Sequence, residues 1–277
     1  MLHADENWFA AVFEGLLVAL ILWRILGAMR GRLPFIRRIP GLNAIDEAVG
    51  RATEMGRPIL MVPGLSGLDI VGIQALNIFS YITRTAARFS TPIRLCVSDA
   101  PLYAVGQEVI QEAYRSEGKP EAYDPDSVQF ISGEQFAFAA GVSGIIHRQQ
   151  VAATFLMGAF YAESLIFAET ANTVGALQVA GTTLTTQTPF FVAACDYVII
   201  GDEFYAASAY LSREPVSMGS LAGQDLGKML FAACIIIGCI CYAIVGPQYP
   251  ADAPLFYKMF GNGGWDEMLR ALRGLFG

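Results

Sequence analysis

Residues 58–73, PILMVPGLSGLDIVGI, decide how this chain is read. Ile59-Leu60-Met61-Val62 is a short unbroken apolar run, the signature of a strand buried on both faces. Pro63-Gly64-Leu65-Ser66-Gly67 breaks it, and from Leu68 onward apolar residues recur at helical spacing. A strand that turns through glycines into a helix is the opening unit of an open α/β sheet. In such sheets ligands gather beyond the carboxyl ends of the strands.

The same alternation continues on both sides. Ahead of it, Ala44, Ile45, Ala48, Val49 and Ala52 share one helical face, with Asn43 as cap and Gly56 as stop. Behind it, further strands are expected at 91–97, 128–131, 151–157, 176–180 and 197–200. Helices are expected at 68–89, 101–116, after Ser132-Gly133-Glu134, at 161–174 and up to about Ser212; residues 190–194 suit either state. Repeated strand–helix alternation with nearly all-apolar strands predicts an α/β domain, Rossmann-like, with a mainly parallel sheet covered on both faces. The rival, in which 135–146 and 151–168 cross a membrane, is disfavoured by the shortness of the first and by Glu163 in the second.

Two segments stand outside that pattern. The chain is 54% hydrophobic and only 16% charged over its 277 residues, a charge deficit that points to membrane segments, a heavily buried core, or both. The run Trp8–Met29 is long enough to cross a bilayer, with Glu14 and Arg24 toward its ends. Asp5 and Glu6 precede it, and Arg24, Arg30, Arg32, Arg37 and Arg38 lie at its far end or follow it. The positive-inside rule then puts the N-terminus outside, and the acidic start argues against a signal peptide. Residues 229–246 form a second, charge-free run after Lys228. The expected organisation is a first span within 1–30, a basic linker at 31–42 and a cytoplasmic α/β domain at 43–215. A linker at 216–228, a second span at 229–246 and an external tail at 247–277 complete it. In the tail, Trp265, Met268, Leu269, Leu272 and Phe276 align on one amphipathic face. The expected location is the inner (plasma) membrane, multi-pass, with both termini outside. Glu14 reads either as a functional intramembrane carboxylate or as a group reaching the outer interface; Arg24 reads as a snorkelling anchor.

The strand ends supply the candidate pocket: Gly64, Leu65, Ser66, Gly67 and Asp69, then Ser98 and Asp99, Glu163, and Thr182 with Thr183. The first turn offers backbone N–H groups at a helix start, an anion seat. The plain alternative is that glycines and hydroxyls make turns and cap helices. No Gly-x-Gly-x-x-Gly, phosphate-loop or Gly-x-Ser-x-Gly motif is present; Gly64-Leu65-Ser66-Gly67 falls one residue short of a nucleophile elbow. Ser66 with His147 as base is the one nucleophilic pairing the sequence offers, and His147 is expected at the surface. Asp99, Glu163, Asp202 and Glu203 are scattered carboxylates, weak as Mg²⁺ ligands. With no Cys-x-x-Cys pair and with His3 far from His147, no metal site is expected, and no motif names a cofactor. A net charge of -7 speaks against nucleic acid as a partner.

The run IPGLNAIDEAVGRATEMGRPILMVPG, set between the first span and the glycine-rich turn, resembles a family of prokaryotic integral membrane proteins known as a domain of unknown function. The resemblance covers about residues 33–246 and implies a membrane-anchored α/β domain, without catalytic residues to carry over. The expected function is a membrane scaffold or ligand-sensing protein that self-assembles as a homo-oligomer, with the lipid bilayer and other membrane subunits as partners. A membrane-anchored enzyme, or a nucleotide or small-anion binder, using the strand-end pocket is the alternative. An ion-linked channel subunit using Glu14 is the third reading.

Overall fold

Six short apolar runs become six parallel strands. The computed structural model describes residues 8–32, 34 and 42–245. Between Leu33 and Met218 lies the first of two compact units. It opens with helix α2 (Asn43–Met55), which follows α1 (Trp8–Met29) of the second unit, and continues through β1 (Ile59–Gly64) and α3 (Ile70–Arg88). Then come β2 (Ile93–Val97), α4 (Ala100–Ser116), β3 (Val128–Phe130), α5 (Gln135–Gln149) and β4 (Ala153–Ala159). The series closes with α6 (Glu163–Thr173), β5 (Leu177–Thr182), α7 (Thr188–Ala194), β6 (Tyr197–Ile200) and α8 (Glu203–Ser212).

The strands lie in the order β3-β2-β1-β4-β5-β6, all parallel. This is the strand order of dinucleotide-binding doubly wound sheets, and it puts the topological switch point between β1 and β4. Ile59 stands beside Ile93 of β2 on one side and Ala153 of β4 on the other.

Alternation along each strand feeds two cores. Ile59 and Met61, Leu95 and Val97, and Phe155 and Met157 point toward α2, α3, α4 and α8. Leu60 and Val62, Cys96, Leu156 and Ala180 point toward α5, α6 and α7. The second core is centred on aromatic rings: Phe160 packs edge-to-face on Phe191 at 5.2 Å and on Phe167 at 6.4 Å, and Phe167 on Phe138 at 5.8 Å. Segments 135–146 and 151–168 are therefore helix α5, strand β4 and the start of α6 inside one sheet-and-helix unit, which overturns the reading of them as membrane spans.

Local chemistry sets the element ends. Asn43 is the first helical residue of α2, and Leu42 is the cap residue, without a side-chain hydrogen bond. Gly56 (φ 62°) stops that helix. Helix α3 begins two residues later than its apolar spacing predicts, because the Asp69 carboxylate caps it by accepting the Gly72 N–H at 2.7 Å. Asp99 caps α4 through the Leu102 N–H at 3.0 Å.

The second unit comprises residues 1–32 and 219–277. Among its described residues are α1 and most of α9 (Pro215–Val245). The segment 216–228, expected as a linker, is helical. Gly219, Gly223 and Gly227 recur at every fourth residue and so share one helical face. That face meets α1: a Cβ on Gly219 would lie 2.7 Å from the Ile25 Cα, and one on Gly223 2.8 Å from the Ile21 Cα. Gly227 faces Leu17, and Phe231 meets Phe13 edge-on at 5.1 Å. The two helices run antiparallel, close-packed through glycine. Both are long and apolar enough to cross a membrane, over Ala11–Met29 and Pro215–Ile240. The linker expected at 31–42 and the amphipathic face expected in the tail lie largely outside the described residues.

The aromatic cluster generates a stability prediction. Phe160→Ala removes the ring that joins α6 to α7, and is expected to lower the unfolding free energy by about 3–5 kcal/mol. The check is the denaturant midpoint of the full chain in detergent, followed by near-ultraviolet circular dichroism.

Candidate functional site

Chain reversal at the switch point demands close approach, and two glycines permit it. Gly64 ends β1 with φ 68°, and Gly158 sits near the end of β4 with φ 152°. A Cβ on Gly64 would collide with the Ala159 carbonyl; one on Gly158 would collide with the Pro63 carbonyl and sit 2.8 Å from the Ser66 Oγ. Both backbone conformations also belong to glycine.

Hydrogen bonds stitch the two strand ends together at this approach. The Leu65 N–H donates to the Ala159 carbonyl at 2.9 Å, and the Ala159 N–H donates to Ser66 Oγ at 2.8 Å. The Ser66 N–H turns back to the Pro63 carbonyl at 3.4 Å. Next to them the Ser98 hydroxyl donates to the Gly64 carbonyl at 2.9 Å. Ser66 and Ser98 are buried. The hydroxyl of Ser66 thus serves as a strut between β1 and β4. His147 lies exposed in the last turn of α5, whose end leads into the amino end of β4, so it sits at the opposite edge of the sheet from Ser66. The Ser66–His147 pairing does not form.

The remaining candidates are likewise engaged locally. Glu163 is fully buried; one carboxylate oxygen accepts the Tyr161 N–H at 3.0 Å and the other the Gln135 side-chain amide at 2.5 Å. Thr182 Oγ1 accepts the Leu184 N–H at 3.2 Å, and Thr183 stands half-buried beside it. A network that sequence reasoning missed joins Ser164 to both the Tyr161 carbonyl at 2.8 Å and Gln187 Oε1 at 2.9 Å. Gln187 lies 23 residues on, at the cap of the next helix, α7, and no local pattern announces it.

The fold gathers Gly64, Leu65, Ser66, Gly67, Asp69, Ser98 and Asp99 on adjacent turns. At the start of α3 the N–H groups of Gly67 and Leu68 have no partner among the described residues. Two carboxylates crowd that position: Asp69 occupies the Gly72 N–H, and a Cβ on Gly67 would lie 3.8 Å from the Asp99 carboxyl. The electrostatics oppose an anion there, although the helix start by itself would favour one. Two surface cavities lie elsewhere. One of about 520 Å³ is an open depression on α4, lined by Val105, Glu108 and Tyr123 among others. One of about 170 Å³ sits at the amino end of β2, around Arg94 and Asp124. Arg94 donates to Asp124 at 3.0 Å and holds its carboxyl below the usual range. Among the described residues no three metal-ligating side chains come together.

Glu14 is exposed on α1, and Arg24 is half-buried with an unpartnered Nε. Cys96 and Cys195 are thiols whose pKa burial pushes up to about 12.

Two predictions follow from the packing of these groups. Ser66→Ala leaves the Ala159 N–H without its acceptor and is expected to cost about 1–3 kcal/mol of stability, read by thermal unfolding. Cys96 and Cys195 are expected to resist maleimide at pH 8 in the folded chain and to label once it is unfolded, read by mass spectrometry. Because their folded pKa values lie above the unfolded value of 9.0, their contribution to stability is complete below pH 9 and is lost as the pH rises toward about 12.

No curated protein and no solved structure matches the chain. One family model matches residues 2–251, and its description is a domain of unknown function, DUF6754.

Proposed function

The chain belongs to the DUF6754 family, a domain of unknown function, and from its own geometry we propose that it is an integral membrane scaffold, anchored by α1 and α9, that self-assembles through its α/β domain and its spans. One observation carries the reading. Only 6% and 17% of the apolar windows in Ala11–Met29 and Pro215–Ile240 is buried, so both helices expose a largely apolar surface, interrupted by Glu14, Asp225 and Lys228. Water opposes such exposure, and the interior of a bilayer satisfies it.

The arginines from Arg24 to Arg38, taken with the positive-inside rule, support a cytoplasmic α/β domain with both termini outside, at the inner (plasma) membrane. A binding module would present open polar groups at the carboxyl ends of its strands. In this chain Ser66, Ser98, Asp69, Asp99, Glu163 and Thr182 are engaged with neighbouring protein atoms. The same edge instead exposes apolar side chains: Leu68, Ile70, Phe136, Tyr161, Phe190 and Ile200, with Ile70 at 70% and Phe136 at 71%. Exposed apolar side chains gathered at one end of the sheet favour association between domains.

The doubly wound strand order favours a second reading, a membrane-anchored binder at the β1–β4 switch point. With Asp69 and Asp99 in place, its ligand would carry no net negative charge.

Membrane fractionation tests the leading reading. The full chain is expected to stay in the pellet after a pH 11 carbonate wash, and reporters fused to either terminus are expected to report the outer side. Release into the supernatant overturns it.

A further inference from the structure

Helix α9 has a second face that its packing on α1 leaves uncovered. Gly219, Gly223 and Gly227 turn toward α1. At about 100° per residue, Asp225 points about 200° away from Gly223, and Lys228 about 140° away. Leu221, Asp225, Lys228, Ala232, Ile235 and Cys239 follow one another at alternating steps of four and three. That is the a/d spacing of a two-helix seam. Asp225, Lys228, Ala232, Ile235 and Cys239 are exposed, Ile235 at 64%.

The antiparallel register fixes the depth of the charges. Ile25, Ile21, Leu17 and Phe13 stand opposite residues 219, 223, 227 and 231. Asp225 is therefore level with Ala19, at the middle of α1, and Lys228 with Leu16. Whatever bilayer slab encloses α1 holds Asp225 close to its centre. An ionisable group at that depth faces a protein partner or a polar path. Asp225 has no hydrogen bond or ion pair among the described residues.

We infer that the Leu221–Cys239 face of α9 packs in the membrane against the same face of a second copy of this chain, with each Asp225 carboxylate paired to the Lys228 ammonium of the other copy. This deepens the scaffold reading and rests on it. Charge complementarity selects the partner. Two copies in one membrane share an orientation and are related by a two-fold axis along its normal, so each residue meets its counterpart at equal depth. Asp225 and Lys228 differ in depth by three residues, about 4.5 Å, within the reach of a lysine side chain. An ammonium has three donors, so it can take a carboxylate from the mate in addition to its other contacts. Ala232 lets the helix backbones approach, and Ile235 fills the next layer.

The native thiols supply the test. Cys239 lies on the proposed seam, whereas Cys234 lies about 20° from the α1-facing Gly223 direction. In membranes that hold the full chain, copper phenanthroline is expected to give a disulfide-linked dimer of twice the chain mass. Cys239→Ser is expected to abolish this dimer and Cys234→Ser to leave it unchanged. Asp225→Lys is expected to reduce dimer yield at least ten-fold, and Asp225→Lys combined with Lys228→Asp to restore it to within two-fold. Asp225→Asn, a milder change, is expected to give an intermediate yield with full retention of the chain in the membrane. A carbonate-resistant chain that gives no Cys239 dimer, or links to a protein of different mass, overturns the inference and leaves the scaffold reading standing. So does a double exchange that fails to exceed Asp225→Lys. Release of the wild-type chain by carbonate overturns both.

Discussion

Everything in the α/β unit hangs on how closely β1 and β4 approach at their carboxyl ends. In a doubly wound sheet the connections leave these two strands toward opposite faces, so a crevice opens between them. Here Gly64 and Gly158 remove the two Cβ atoms that would hold it open, and Ser66 and Leu65 tie it shut through both backbone groups of Ala159. The closure also sets the neighbours. It fixes the turn that delivers Asp69 to the start of α3. It places Phe160 among Phe167 and Phe191. It also seats Glu163 where its carboxylate can hold the Tyr161 N–H in a fully buried position. A site that many sheets of this order keep open for a ligand is here an internal seam.

Much of this was legible in the residues. Short apolar strands and caps such as Asp99 are local features, so the strand–helix alternation and the parallel sheet could be read from spacing alone. The strand order could not. It depends on which apolar runs meet across long stretches of chain, and Leu60 beside Arg94 and Thr154 leaves no local mark. The candidate site shows the same division. Its residues do lie at the strand ends, and Gly64 through Gly67 do form the turn. What spacing cannot reveal is that the Ser66 hydroxyl finds a backbone N–H 93 residues away, or that Asp69 and Asp99 both crowd the start of α3. Pocket and seam are written in the same glycines and serines, and only the partners of those groups distinguish them.

In the second unit, the segment 216–228, expected as a linker, is helical, and its glycines show why. Glycine normally weakens a helix, yet this segment carries three of them and is helical throughout. Where the backbone of another helix is to come within a few ångströms, the same lack of a side chain becomes the requirement. Gly219, Gly223 and Gly227 meet it at Ile25, Ile21 and Leu17. The close packing then sets the level of every other residue on α9, which a hydropathy window cannot do.

That level gives Asp225 and Lys228 their meaning. On an insertion scale, Leu, Ile, Phe and Val each favour the membrane by about 0.3–0.6 kcal/mol, and Asp or Lys at a helix centre costs about 2.5–3.5 kcal/mol. Between Pro215 and Ile240, α9 carries nine such apolar residues, worth about 3–5 kcal/mol together, against about 5–7 kcal/mol for the two charges. The helix by itself is close to balance. Packing on α1 adds apolar surface and satisfies the glycine face, but it leaves the charged face where it was, turned away from α1. In the dimer inferred above, a contact between the Asp225 carboxylate and the Lys228 ammonium of the mate would recover part of the cost, and would do so only once the chains have met. In that inferred dimer, the charges that weaken insertion of a single chain would favour its association, and the glycine register would put them at the depth where that difference is largest.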